Sequence, residues 1–312
     1  MKTNMKLEGK EVVIGLDKLV IGIPYPKKPK VEEDNPSSTT KIIAQYQHQK
    51  NEFVSNMKYI ESTVKEEIIP FHASYCKNKD LKRYKLYSGI DGNLLCVVSL
   101  GFSFGTGVIN IQVNPSKLSS KHWVEFQGYL DVLFEDGYHE IYENGVMSHA
   151  EFYCDVKDVN LEDYVLIDFG QRGTKHYKGT TYQGGRTAPL VCTMYDKAKE
   201  LKIEGNLVRI EARIKRRDIR TIDLIESDLY HPLQQFIVIS KKNLQLIAQE
   251  KGCPKIADKI IEFGLFKAIN SAARKSFATL IREHRAPWWD IDVIWQTHRE
   301  LLQGLKPQNF LK

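Results

Sequence analysis

The stretch LVRIEARIKRR, residues 207–217, decides how this chain folds. Successive side chains of a strand point to opposite faces, so Val208, Ile210, Ala212 and Ile214 share one side and Arg209, Glu211, Arg213 and Lys215 the other. One clean apolar face marks a half-buried strand of an antiparallel sheet. Upstream, PLVCTMYDK (189–197) and KHYKGTTYQ (175–183) read as two more strands, joined by GGRTA and AKELKIEGN. Connections this short favour antiparallel neighbours, because parallel strands need a crossover of a dozen residues or more.

Farther upstream, HAEFYCDV (149–156) repeats the alternation. Glu151, Tyr153 and Asp155 lie on one face, and Ala150, Phe152 and Cys154 on the other. YKLYSG, LLCVVSLGF and GVINIQVNPSKL are short runs bounded by Gly, Asn and Pro and read as strands. KHWVEFQGYLDVLFED (121–136) places Trp123, Phe126, Leu130 and Phe134 on one helical face. Residues 41–69 are helical in period and close at Pro70. EVVIGLDKLVIGI alternates as a strand that pairs back onto the body, followed by a proline-rich arm, PYPKKPKVEEDNPSSTT. Residues 161–173 read as a loop, and the chain after Asp218 as mainly helical. The expected class is α+β: a large antiparallel sheet with packed helices and a mainly helical C-terminal region.

The 312 residues are 42% hydrophobic and 27% charged, the composition of an ordinary folded protein. No apolar run is long enough for a membrane span and no signal-peptide order opens the chain, so a cytoplasmic location without membrane contact is expected. Five cysteines without a CxxC pair argue against a disulfide framework and against a thiolate zinc site. Neither GxxxxGK[ST] nor HExxH occurs, and GFSFGTG lacks the context of a dinucleotide site. The net charge of +6 is unevenly spread. Residues 197–220 carry nine Lys/Arg against four Asp/Glu, and 172–186 carry four against none. Basic charge therefore flanks Tyr195 on both sides, as a polyanion ligand requires.

If these strands share a sheet, Glu151, Asp155 and Glu211 can converge with Tyr195 or Asp196 as an oxygen-rich pocket suited to Mg²⁺ or Mn²⁺. The alternative is that the acids form cross-strand pairs with Arg209, Arg213 or Lys215. Asp196 has a second reading as a helix cap. Trp288, Trp289 and Trp295 suit the packing of the last helices better than base stacking. The basic helix expected around 267–285, with Lys267, Arg274, Lys275, Arg282 and Arg285, is a candidate contact for duplex DNA.

The run KGTTYQGGRTAPLVCTMYDKAKELKIEGNLVRIEARIKRR resembles the rolling-circle replication initiators of the replication initiation factor (Rep-trans) family and related conjugative relaxases. The matching elements are Thr180 to Gly184, Tyr195-Asp196-Lys197 and Arg209-Ile210-Glu211. Upstream, Glu151 and Asp155 stand at the family's acidic positions, and His149 where members usually carry arginine. The resemblance covers roughly 145–217 and implies metal-dependent nicking and joining of DNA through a 5'-phosphotyrosine. It implies Tyr195 as nucleophile, with Tyr182 as runner-up, and Lys197 and Arg209 as stabilisers of the transition state. Glu151, Asp155, Asp196 and Glu211 would hold the metal, and Lys178, Arg186, Arg213, Lys215, Arg216 and Arg217 would bind DNA. It further implies origin DNA, single-stranded at the nick and duplex or hairpin around it, a host helicase and polymerase, and room for a homodimer. Residues 1–40 would then be an N-terminal strand and arm, 41–218 the catalytic nicking domain, and 219–312 a helical region contacting the origin. A relaxase at a transfer origin, or a non-catalytic DNA-binding protein of the same fold, are the alternatives.

Overall fold

The computed structural model describes residues 1–24, 48, 51–52, 55–56, 58–59, 72–73, 82–103, 106–134, 136–170, 172–185, 187–215, 219–227 and 231–309. The chain opens with β1 (Lys2–Leu7) and the long β2 (Lys10–Pro24), then β3 (His72–Ala73), β4 (Lys82–Tyr87), β5 (Leu94–Ser103) and β6 (Thr106–Val113). Two helices, α1 (Ser120–Leu133) and α2 (Gly137–Asn144), precede β7 (Val146–Lys157). The arm and most of the helix expected over 41–69 lie outside the described residues. The described residues within that helix are helical.

The middle of the chain supplies β8 (Tyr164–Asp168), β9 (Thr174–Tyr177), β10 (Thr180–Gln183), β11 (Leu190–Asp196), the short α3 (Lys197–Leu201), β12 (Leu207–Ile214) and β13 (Ile219–Arg220). Beyond α4 (Thr221–Glu226) come β14 (Phe236–Ser240), α5 (Lys241–Glu250), α6 (Ile256–Phe263), α7 (Leu265–Ala268), α8 (Ser271–Glu283) and α9 (Ile291–Gln303).

Among the described residues twelve strands form one sheet, in the order β3-β4-β5-β6-β2-β7-β12-β11-β10-β9, with β1 also pairing β2 and β13 pairing β7. Every pairing among the described residues is antiparallel, and for β10, β11 and β12 the short connections predict it. The α+β class with helices concentrated toward the C-terminus is what the sequence pattern predicts. Three local readings are corrected. KHYKGTTYQ is a hairpin, β9 and β10, turning at Lys178-Gly179. Residues 161–173 contain β8, which pairs with β14 in a separate two-stranded sheet. The helix expected over 267–285 is broken, with Asn270 capping α8.

The N-terminal strand lies inside the body. β2 sits between β6 and β7, and α9 packs against β2 while its Trp295 meets Phe152 of β7 edge-on at 5.5 Å. Along β2 the buried apolar positions run Val12, Ile14, Leu16 and then Leu19, Ile21, Ile23. The period of two slips by one because the register against β7 jumps between Leu16 and Lys18, a β-bulge with Asp17 as the extra residue. The three tryptophans are core: Trp288 and Trp289 are at most 2% exposed, and the Trp289 indole donates to the Phe236 carbonyl at 3.0 Å.

Candidate active site

The strand registers place the polar faces of four strands side by side. Tyr195 lies opposite Arg209, which lies opposite Asp155; Thr193 lies opposite Glu211, which lies opposite Tyr153, which lies opposite Gly15. In the third row Arg213 faces Glu151, and Glu151 faces Lys18. Gly15 is required here, because a Cβ at this position would overlap the Tyr153 ring. That ring fills the space and carries the Arg209 guanidinium 4.0 Å from its centroid.

Asp17, Glu151 and Glu211 form a carboxylate cluster, with one oxygen from each within 4.8 Å of the others. Two of the four expected metal ligands are in it. Asp155 is outside, because Arg209 grips it through two bonds, Nε to Oδ1 at 2.5 Å and Nη2 to Oδ2 at 2.7 Å. Asp196 is also outside: its side chain caps α3 by accepting from the Lys199 amide at 2.9 Å. The cluster's third member, Asp17, was missed in the sequence. The signal for it was the slip in apolar phase at Asp17-Lys18, since the bulge turns an extra residue onto the polar face.

The electrostatics of the cluster are unbalanced. Arg213 donates from Nε to Glu151 at 2.8 Å and from Nη2 to Glu211 at 3.1 Å, one cation shared by two acids. Burial alone would raise Glu151, but the His149 bond at 2.6 Å and Arg213 hold its carboxyl down at about 2. Glu211 shifts the other way: burial first, then the charges of Glu151 and Asp17, raise it despite Arg213. Asp17 accepts from Asn114 at 3.3 Å and from Ser116 at 3.4 Å, and the cation it pairs with, Arg209 at 3.8 Å, is already committed to Asp155. Three hard oxygen donors with surplus negative charge fit a divalent cation of the Mg²⁺ or Mn²⁺ kind.

Tyr195 is the last residue but one of β11, half buried and on the same face, diagonal to Glu211. Burial, followed by the Glu211 charge, raises its phenol well above the ordinary value, and Arg209 opposes the shift. Glu200, on α3 and missed in the sequence, raises the phenol further through its charge. Lys197 holds the same carboxylate at 2.9 Å and stands 5.7 Å from the Tyr195 ring centroid. Tyr182 is one strand farther from the acids, opposite Thr193.

An open cleft of about 790 Å³ lies beside Tyr195, lined by Tyr182, Thr193, Glu211 and Arg213 and continuing past Lys178, Lys199 and Lys241. Of the expected DNA-binding residues, Lys178 is at the hairpin tip, Arg213 joins the acids, and Lys215 lies just beyond β12. Arg186, Arg216 and Arg217 lie outside the described residues. In the C-terminal region Arg274 and Arg282 are partly engaged within the fold, Arg274 with the Ile269 carbonyl at 3.0 Å and Arg282 over the Phe169 ring.

No protein-family profile matches the chain, and no curated protein matches it. A solved structure of a rolling-circle replication initiator protein from Geobacillus stearothermophilus superposes on 73% of this chain and 86% of its own, with 11% identity and a TM-score of 0.38. A likeness that distant says nothing about the chemistry of the site. Among the described residues no helix is long and apolar enough to cross a membrane.

Proposed function

We propose that this chain nicks and rejoins one strand of DNA with the help of a divalent metal, forming a 5'-phosphotyrosine on Tyr195 to start rolling-circle replication of a plasmid or phage. The observation that carries the proposal is the position of Tyr195: partly open to a cleft and diagonal to Glu211 on the face that holds the three-acid cluster. The sequence resemblance over 145–217 points the same way.

In this reading the Tyr195 oxygen attacks the scissile phosphorus while its proton passes to the neighbouring Glu200 carboxylate. The bond from phosphorus to the 3'-oxygen breaks, and the leaving oxygen takes a proton from solvent to become the 3'-hydroxyl that primes synthesis. A divalent ion held by Asp17, Glu151 and Glu211 would neutralise charge on a phosphate oxygen. Arg213 at the cleft and Lys197 beside the Tyr195 ring supply further positive charge, and Arg209 keeps the row rigid through Asp155. The phosphotyrosine ester conserves the energy of the phosphodiester, so reversal rejoins the strand. The catalytic unit then includes β2, because Asp17 belongs to it, and residues 219–312 serve as the region that contacts the origin. Origin DNA, a host helicase and polymerase, and a cytoplasmic setting complete the proposal.

The test is incubation of purified protein with supercoiled plasmid carrying the DNA that flanks its own gene, with Mg²⁺ or Mn²⁺ and with EDTA. The expected result is a metal-dependent covalent adduct that is absent in Tyr195→Phe and present in Tyr182→Phe. An adduct that survives Tyr195→Phe would overturn the assignment.

A further inference from the structure

Among the described residues the β9–β10 hairpin forms one edge of the sheet, and its two faces differ. The inner face is tied down: His176 bonds the Ile261 carbonyl at 2.8 Å, Thr174 donates to Gln183 at 3.0 Å, and Gln183 donates to the Leu166 carbonyl at 2.7 Å. The outer face carries Lys175, Tyr177, Thr180 and Tyr182, because Tyr177 pairs with Thr180 and Lys175 with Tyr182. Tyr182 in turn pairs with Thr193, and Thr193 with Glu211, so this face is continuous with the acid cluster.

Tyr177 is 62% exposed, a large aromatic side chain that the fold does not use for packing. The hairpin turns through Lys178 and Gly179, both with positive φ, the geometry of a type I′ turn. That geometry aims the Lys178 ammonium 5.3 Å from the Tyr177 ring centroid. Lys175 is exposed on the same face, and Lys178 lines the cleft with Lys199 and Lys241.

We infer that the outer face of this hairpin binds unpaired DNA, with bases stacked on Tyr177 and Tyr182 and the backbone running past the lysines toward Tyr195. Aromatic faces between cations are what a single strand recognises, since every base offers a π-face and every nucleotide a phosphate. Tyr177 and Tyr182 are diagonal cross-strand neighbours roughly 7 Å apart, about twice the rise per base of a stacked duplex. Neighbouring bases reach both rings only in an extended, unpaired strand. The direction toward Tyr195 rests on the nicking proposal; the binding of unpaired DNA does not.

The experiment is fluorescence anisotropy of a labelled oligothymidylate and of a duplex of equal length, with full-length Tyr195→Phe protein in EDTA so that neither metal nor cleavage contributes. Tyr177→Ala is expected to weaken single-strand binding about tenfold, within the range that stacking supplies. Tyr182→Ala is expected to weaken it comparably, Tyr177→Phe less than twofold, and duplex binding should be weaker than single-strand binding and unchanged by Tyr177→Ala. Unchanged single-strand affinity in Tyr177→Ala overturns the inference, as does an equal loss for duplex. An adduct on Tyr195 together with normal binding in Tyr177→Ala would leave nicking standing and remove the platform. Loss of binding in Tyr177→Ala without any adduct in the metal-loaded protein would do the reverse.

Discussion

Replacing Glu211 by Gln should make the metal-free protein more stable while removing its response to metal. Two acids stand within 4.8 Å of Glu211, and at an effective dielectric of about 20 each repels it by about 3.5 kcal/mol. Arg213 at 3.1 Å returns about 5 kcal/mol on the same basis, and less because about a third of it is exposed to screening solvent. The balance leaves ionised Glu211 unfavourable by about 2 kcal/mol or somewhat more, which agrees in sign with its raised carboxyl. Glutamine removes the repulsion and its amide oxygen still accepts from Arg213. The expected gain in EDTA is about 2–4 °C in Tm. Wild-type protein should gain about 2.7 kcal/mol at a Mn²⁺ concentration one hundred times its Kd, and the variant should gain almost none. Calorimetry with and without Mn²⁺ reads both quantities. A variant that melts below the wild type in EDTA and keeps its metal-induced rise would refute the reasoning, because the cluster would then be a satisfied ion-pair network.

Acid should unfold the metal-free protein through one buried and one half-buried group. Burial holds His298 down at about 4, so its contribution is complete above the ordinary histidine value near 6.5 and is lost as pH falls through 4; His298→Gln should flatten the stability profile over that window. Glu151 is held at about 2, so it contributes on the order of 3 kcal/mol above pH 4.5 that disappears as pH falls toward 2, and Glu151→Gln should abolish that part of a urea-midpoint profile measured in EDTA. Gly15→Ala should cost about 1–3 kcal/mol in chemical denaturation, because its methyl group has to displace the Tyr153 ring; wild-type stability in that variant would show that the ring has another place to go. Asp17→Asn should lower Mn²⁺ affinity, measured by calorimetric titration, while Asp196→Asn should leave it unchanged, since Asp196 caps α3 instead of facing the cluster.

The sequence by itself determined which side chains share a face. Alternation along 149–156 and 207–217 is a local property of extended chain, so Glu151 with Asp155, and Glu211 with Arg209 and Arg213, were legible before any contact was known. Short connections likewise determined that the strands of the middle region run antiparallel. YVLID and QQFIVIS were harder, because a strand buried on both sides has no alternation to read, and β8 and β14 are such strands. Which acids meet was decided only by tertiary structure. Asp155 and Glu151 are equivalent in the pattern, yet the register gives Asp155 a bidentate arginine and gives Glu151 a half-shared one. Asp17 enters the cluster from a strand far earlier in the chain, through one extra residue in a bulge whose effect depends on the strand beside it. Charge compensation is set by neighbours across the sheet, and neighbours across a sheet are set by pairing, which no single strand contains.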